Sequence, residues 1–179
     1  MALRRTVVGM VGGVLLAGCS GRELVSDTQN AESGGADRDG DGVPDSKDDF
    51  PSDAEYSLLV ESVSEEITLA PGEYKLYGFE VNAPSDLSYE IATRGDGLVD
   101  VFLTDESNFR KFENRSKWSY YDDGSELSTA TAAVTFTVGT ERRYYLVVDN
   151  SPEGGATPST DDGTGRATVE VRIQLKRRS

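Results

Sequence analysis

The sequence predicts an all-β fold, a single antiparallel β-sandwich of jelly-roll type, preceded by a polar N-terminal segment. Three observations predict it. From about Ser57 onward apolar and polar residues alternate in short runs, the period-two signature of half-buried strands. Gly, Pro and Asp clusters separate those runs at short intervals. Between them lies room for one short helix.

Ile67 and Leu69 alternate with polar neighbours and begin the pattern. Ala70-Pro71-Gly72 turns the chain into a strand carrying Tyr77, Phe79 and Val81. Ala83-Pro84-Ser85 turns it again into Leu87, Tyr89 and Ile91, and Arg94-Gly95-Asp96-Gly97 ends that strand. Leu98 to Leu103 and Tyr144 to Val148 are apolar on both faces and read as central strands. Glu106 to Glu113 is the expected helix, and Asp122-Asp123-Gly124 a turn. Val134, Phe136 and Val138 alternate with threonines, and Val169, Val171, Ile173 and Leu175 alternate with Glu170, Arg172 and Gln174. Ser151 to Arg166 is a polar loop. About eight short strands in roughly 120 residues make a sandwich, with enough β-branched and aromatic residues for one core.

Composition narrows the function. The 179 residues carry a net charge of −14 and no histidine. Lysine is scarce; Lys47, Lys75, Lys111, Lys117 and Lys176 are the full set. Dense carboxylates with few lysines resemble the surfaces of extreme halophiles, which stay hydrated where salt screens mutual repulsion. Phosphate binding needs a basic face, so no nucleic-acid partner is expected. Without histidine the Ser-His-Asp and Cys-His arrangements and most zinc sites are excluded. Cys19 is the single cysteine, so no intrachain disulfide supports the core.

Residues 1–18 read as an export signal. Arg4-Arg5 form its basic region and Val7 to Gly18 an apolar stretch too short to span a bilayer comfortably. Leu16-Ala17-Gly18-Cys19 resembles the lipobox of bacterial and archaeal lipoproteins, which implies lipidation of Cys19. Two acyl chains hold a protein durably at a membrane, where one does not. Arg4-Arg5 also resembles a twin-arginine signal. The expected location is the outer face of the cell membrane, with the membrane reached through lipid on Cys19. Residues 19–36 are then a lipidated tether; Ser20 to Ala36 is polar apart from Leu24 and Val25 and is expected to be disordered, with a reach of roughly 20–25 Å.

The sharpest chemistry lies in residues 37–56. Asp37, Asp39, Asp41, Asp45 and Asp48 occupy positions 1, 3, 5, 9 and 12 of a loop with Gly42 at position 6. Short carboxylates at alternate positions converge on a hard cation when the chain curls, and Gly permits the curl. The predicted ion is Ca2+, with the Val43 carbonyl as main-chain ligand at position 7. Asp48 stands where an EF-hand has Glu, which predicts affinity near the ~10⁻⁴–10⁻³ M of extracellular modules. Pro51 opposes a following helix, so this is not an EF-hand switch. Asp37 to Asp53, with Gly42-Val43-Pro44-Asp45 and Phe50-Pro51, resembles a thrombospondin type 3 repeat, here in one copy. Its place between tether and sandwich predicts a structural clasp.

Residues 57–179 form the sandwich domain. Pro71-Gly72-Glu73-Tyr74, Leu98-Val99-Asp100-Val101-Phe102-Leu103-Thr104 and Tyr144-Tyr145-Leu146-Val147-Val148-Asp149-Asn150 resemble the bacterial pre-peptidase C-terminal domain and related small sandwiches of haloarchaeal lipoproteins. That resemblance implies a non-catalytic accessory domain, with a cell-surface protein or polysaccharide as partner. Trp118, Tyr120 and Tyr121 are candidates for stacking on sugars, which would make the domain a carbohydrate-binding module; covering the edge of the core is the favoured reading of them. Asp100 sits in a very apolar strand and needs a partner such as Arg94 or a backbone donor. A hydrolase would have to use a carboxylate pair, Asp100 with Glu90 or Asp149, and the chain is not expected to be an enzyme. Asn114-Arg115-Ser116 is a glycosylation sequon at Asn114.

Overall fold

A computed structural model describes residues 6–8, 35–95, 97–139, 141–151 and 165–179. Cys19, the lipobox, residues 20–34 of the tether and residues 152–164 of the long loop lie outside the described residues.

The strands are β1 (Thr6–Val8), β2 (Tyr56–Leu69), β3 (Glu73–Val81), β4 (Ser85–Arg94), β5 (Val99–Asp105), β6 (Glu126–Thr129), β7 (Thr131–Val138), β8 (Arg142–Asn150) and β9 (Ala167–Arg178). Among the described residues one α-helix, α1 (Glu106–Glu113), follows β5 with the expected boundaries. The strands form a five-stranded sheet in the order β1-β3-β8-β5-β6 and a four-stranded sheet in the order β2-β9-β4-β7. All pairs are antiparallel except β1, whose three residues run parallel to β3 within the segment read as an export signal. The sandwich does not depend on that addition, since β3 pairs β8 over nine residues, from Glu73↔Asn150 to Val81↔Arg142.

Alternation places the core. Leu69, Phe79, Val81, Leu87, Ile91, Val101, Leu146, Val171 and Ile173 are buried between the sheets. β5 and β8, the two strands apolar on both faces, sit side by side inside the five-stranded sheet. Their outward residues Phe102 and Val147 enter a second apolar cluster with Tyr74, Phe109 and Phe112, which α1 places over that sheet. The helix forms because Asp105 caps it, its Oδ1 accepting the Asn108 N–H at 2.8 Å. Phe109 and Phe112, three apart, then share the buried face.

Strand β6 is short and was not marked by the alternating pattern. Its pairing with β5 slips between Val99↔Thr129 and Val101↔Glu126, and Ser128 within the slip has φ 52°. The irregularity explains Asp100. That side chain is fully buried, and its Oδ1 accepts the Ser128 N–H at 2.7 Å, replacing a ladder bond the bulge removes. Asp100 therefore takes a backbone donor; Arg94 instead pairs with Glu66 and Glu170.

Candidate metal centre

The loop before β2 curls through its own aspartates. Asp37 accepts the Gly40 N–H at Oδ1 (2.8 Å) and the Gly42 N–H at Oδ2 (3.1 Å). Asp39 accepts the Asp41 N–H, and Asp41 accepts the Val43 N–H at 2.7 Å. Such bonds from a side chain to the backbone two to five residues on tighten the chain. Gly42, at φ 92°, occupies the left-handed region its position demands. One carboxylate oxygen from each of Asp37, Asp39 and Asp41 then lies within 4.8 Å of the others, a triad that could hold a metal.

Asp45 and Asp48 are arranged differently. Asp45 Oδ1 accepts the Arg38 N–H at 2.8 Å, and its Oδ2 stands 3.8 Å from the Arg38 guanidinium. Asp48 is buried, 8% exposed, with Oδ1 accepting the Phe50 N–H at 2.7 Å. Asp48 Oδ2 and Asp39 Oδ2 are both buried atoms with no hydrogen-bond donor. A buried carboxylate oxygen without a donor is costly unless a cation compensates it. The Val43 carbonyl lies in the same loop.

The loop is joined to the four-stranded sheet. Asp49 donates its N–H to the Ser57 carbonyl (3.1 Å), and its Oδ2 accepts the Leu59 N–H (2.9 Å). Phe50 packs edge-on to Tyr56, with Lys176 Nζ 5.0 Å and 5.1 Å from the two ring centres. The Tyr56 hydroxyl donates to Asp86 Oδ2 at 2.6 Å, and Arg178 reaches Asp86 at 3.0 Å and Glu55 at 2.6 Å. Hydrogen bonding to Asp86, with burial, pushes the Tyr56 hydroxyl up to about 12. Burial would raise the Asp86 carboxyl, but Tyr56, Thr137 and Arg178 together hold it below its ordinary value. Ser179, just past β9, donates its hydroxyl to Asp41 Oδ2 at 2.6 Å. Local spacing could not reveal that contact, because it comes from 138 residues away.

The other candidates are placed as follows. Trp118 and Tyr120 are half-buried in the cluster over the five-stranded sheet, Trp118 lying 4.5 Å from the Phe102 ring centre and 5.2 Å from that of Phe112. Tyr121 packs against Phe136 and Tyr144 at the rim of the inter-sheet core. Asn114 is exposed at the C-terminal end of α1, its side-chain amide donating to the Arg110 carbonyl at 2.8 Å. Asp100 and Asp149 are register partners across β5 and β8, both fully buried. Glu90 belongs to the other sheet, 3.4 Å from Arg172. A groove of about 390 Å³ runs over the outer face of the four-stranded sheet, lined by Ser62, Ser64, Ser88, Glu90, Thr135 and Arg172 among others. Among the described residues no helix is long and apolar enough to cross a membrane.

No family model matches the chain, and no curated protein matches it significantly. Solved structures to which the chain is similar include the following two. The pre-peptidase C-terminal domain of a collagenase from Bacillus anthracis is 15% identical, with a TM-score of 0.39, over 62% of this chain and 89% of that one. PliG from Aeromonas hydrophila, a periplasmic inhibitor of g-type lysozyme, is 7% identical, with a TM-score of 0.32, over 64% of this chain and 85% of that one.

Proposed function

We propose that this chain is a lipid-anchored cell-surface protein in which a calcium-bound loop fastens a non-catalytic β-sandwich, a binding or structural module, to its tether. The observation that carries the calcium reading is the pair of donorless buried oxygens, Asp39 Oδ2 and Asp48 Oδ2, in a loop that already gathers three carboxylates. Two oxygens on opposite sides of one Ca2+ stand about 4.8 Å apart at ligand distances of about 2.4 Å, so the triad fits inside one coordination shell. An all-oxygen set without nitrogen or sulfur favours a hard cation.

The junction supports the structural half of the reading. A loop tied to the sheet through Asp49, Phe50 and the Tyr56–Asp86–Arg178 group transmits restraint from the ion to the domain. Lipid anchoring rests on Leu16-Ala17-Gly18-Cys19. Asp100 and Asp149 are both fully buried among the described residues, which supports the non-catalytic reading. The ligand is read as a cell-surface protein or polysaccharide.

Calorimetric titration of the full chain with Ca2+ tests the first half, with one saturable site expected in the parent and none in Asp41→Ala. Detergent partitioning tests the second: the parent enters the detergent phase and Cys19→Ser stays in the aqueous phase. A parent that evolves no heat, or a Cys19→Ser variant that partitions like the parent, removes the corresponding half.

A further inference from the structure

We infer that β7 is a docking edge for a second copy of this chain, the two copies pairing antiparallel about a twofold axis at Thr135 and doubling the four-stranded sheet. The calcium and lipid readings can fail without touching it. A sheet edge offers unpaired backbone N–H and C=O groups, and proteins blunt such edges with charge, bulges or shortness. Among the described residues the two sheets end in β1, β6, β2 and β7. β1 has three residues, and β3 behind it carries Glu73, Lys75 and Glu80. β6 has four residues and is bulged at Ser128. β2 carries Glu61, Glu65 and Glu66 and slips its register against β9 between Tyr56 and Leu58 and again between Leu59 and Glu61. β7 has none of these defences. Thr131–Val138 contains no charged residue, no Pro and no Gly, and it keeps unbroken register with β4 from Ser85↔Val138 to Ala92↔Thr131.

The ladder decides which backbone groups face outward. The Thr93 N–H donates to the Ala130 carbonyl at 2.8 Å, so Ala132, Val134, Phe136 and Val138 bond β4, while Thr131, Ala133, Thr135 and Thr137 turn their backbone away from it. Thr129 Oγ1 occupies both groups at Thr131, accepting its N–H at 3.2 Å and donating to its carbonyl at 2.6 Å. Among the described residues nothing pairs the outward groups of Ala133, Thr135 and Thr137. Val134 and Phe136 point into the core yet stay half-buried, since no described strand lies beyond β7 to cover them.

A second β7 answers each of these features in one register. Opposite residues must share a face, so odd positions meet odd and even meet even. With Thr135 opposite Thr135, Ala133 meets Thr137, and every outward group of those three residues pairs. Moving the axis to Val134 would set Thr137 against Thr131, whose groups Thr129 already occupies. On the core face Val134 meets Phe136 and Ala132 meets Val138; aromatic with β-branched pairs favour antiparallel strands, as does Thr on Thr on the outer face. Charge selects a second copy as the occupant. In a chain of net charge −14 two copies repel wherever acidic surfaces meet, and β7 itself sets no charge against charge.

The test uses the full chain carrying Cys19→Ser, which removes the single native thiol. Sedimentation over a range of concentrations is expected to show a monomer–dimer equilibrium. Thr135→Pro deletes the outward N–H at the axis without touching a bond to β4, a position where an edge strand tolerates Pro. It is expected to weaken dimerisation by about tenfold or more. Added to the same background, Thr135→Cys is expected to form a disulfide-linked dimer on mild oxidation, because a hydrogen-bonded pair sets its Cα atoms about 5.5 Å apart, within disulfide reach. Ser64→Cys, on the outer face of β2, is expected to stay monomeric in the same oxidant. A chain that sediments as a monomer throughout overturns the inference. A dimer that Thr135→Pro leaves unchanged, or one that Ser64→Cys crosslinks and Thr135→Cys does not, overturns the choice of edge. If Thr135→Pro fails to fold, the two cysteine variants decide alone.

Discussion

Asp86→Asn, with Tyr56→Phe beside it, probes the joint between loop and sheet. Asp86 is a carboxylate with 5% of its side chain exposed, accepting from Tyr56 at 2.6 Å and from Arg178 at 3.0 Å. Hydrogen bonds to charged groups contribute about 1.5–3 kcal/mol each. Asn keeps the shape and one acceptor oxygen but removes the charge, so a loss of about 2–3 kcal/mol at pH 7 is expected, close to one such bond. Because the folded Asp86 carboxyl is held below its ordinary value, its contribution is present above about pH 4 and fades as pH falls through the folded value. Tyr56 titrates in the opposite sense. Its hydroxyl is raised to about 12, so the stabilisation is whole below about pH 10 and is lost as pH rises through about 12. Urea unfolding at fixed ionic strength should therefore show a parent-minus-variant difference that is flat near neutrality and shrinks at both extremes. The double variant should lose less than the sum of the two single losses, since both remove one contact. A difference near zero at pH 7, or one that does not shrink in acid, refutes the account of this joint.

Other outcomes follow from packing. Gly124→Ala would put a Cβ 2.9 Å from Leu103 Cδ2 and 3.1 Å from Phe136 Cδ2, so denaturant titration should show a loss of about 1–3 kcal/mol. Phe102→Ala empties the centre of the cluster over the five-stranded sheet and should cost about 3–5 kcal/mol, with tryptophan emission from Trp118 shifting to the red as its ring loses a 4.5 Å neighbour. Asp100→Ala leaves the Ser128 N–H without its acceptor and should cost about 1–3 kcal/mol and speed amide exchange at Ser128; unchanged exchange there would contradict the bulge explanation.

Most of the fold was legible because the information is local. The α1 boundaries follow from a capping aspartate and two phenylalanines three apart, and the interior strands from runs apolar on both faces. Strand β6 was not legible. Four residues with a bulge at Ser128 carry no period, and the bulged N–H is accepted by Asp100, which lies in another strand. The aspartate loop divides the same way. Asp37, Asp39 and Asp41 converge through short-range bonds that spacing alone anticipates. Ser179 and the Tyr56–Asp86–Arg178 joint join segments far apart in the chain, and nothing in local spacing announces them.

Thermal unfolding of the full chain with and without Ca2+, in the parent and in Asp41→Ala, tests the central claim most directly. A ligand that binds only the folded state stabilises it by about 2.7 kcal/mol at one hundred times its Kd. The account predicts a Tm that rises with Ca2+ in the parent and stays fixed in Asp41→Ala. A parent Tm indifferent to Ca2+, or an equal rise in both proteins, would contradict it.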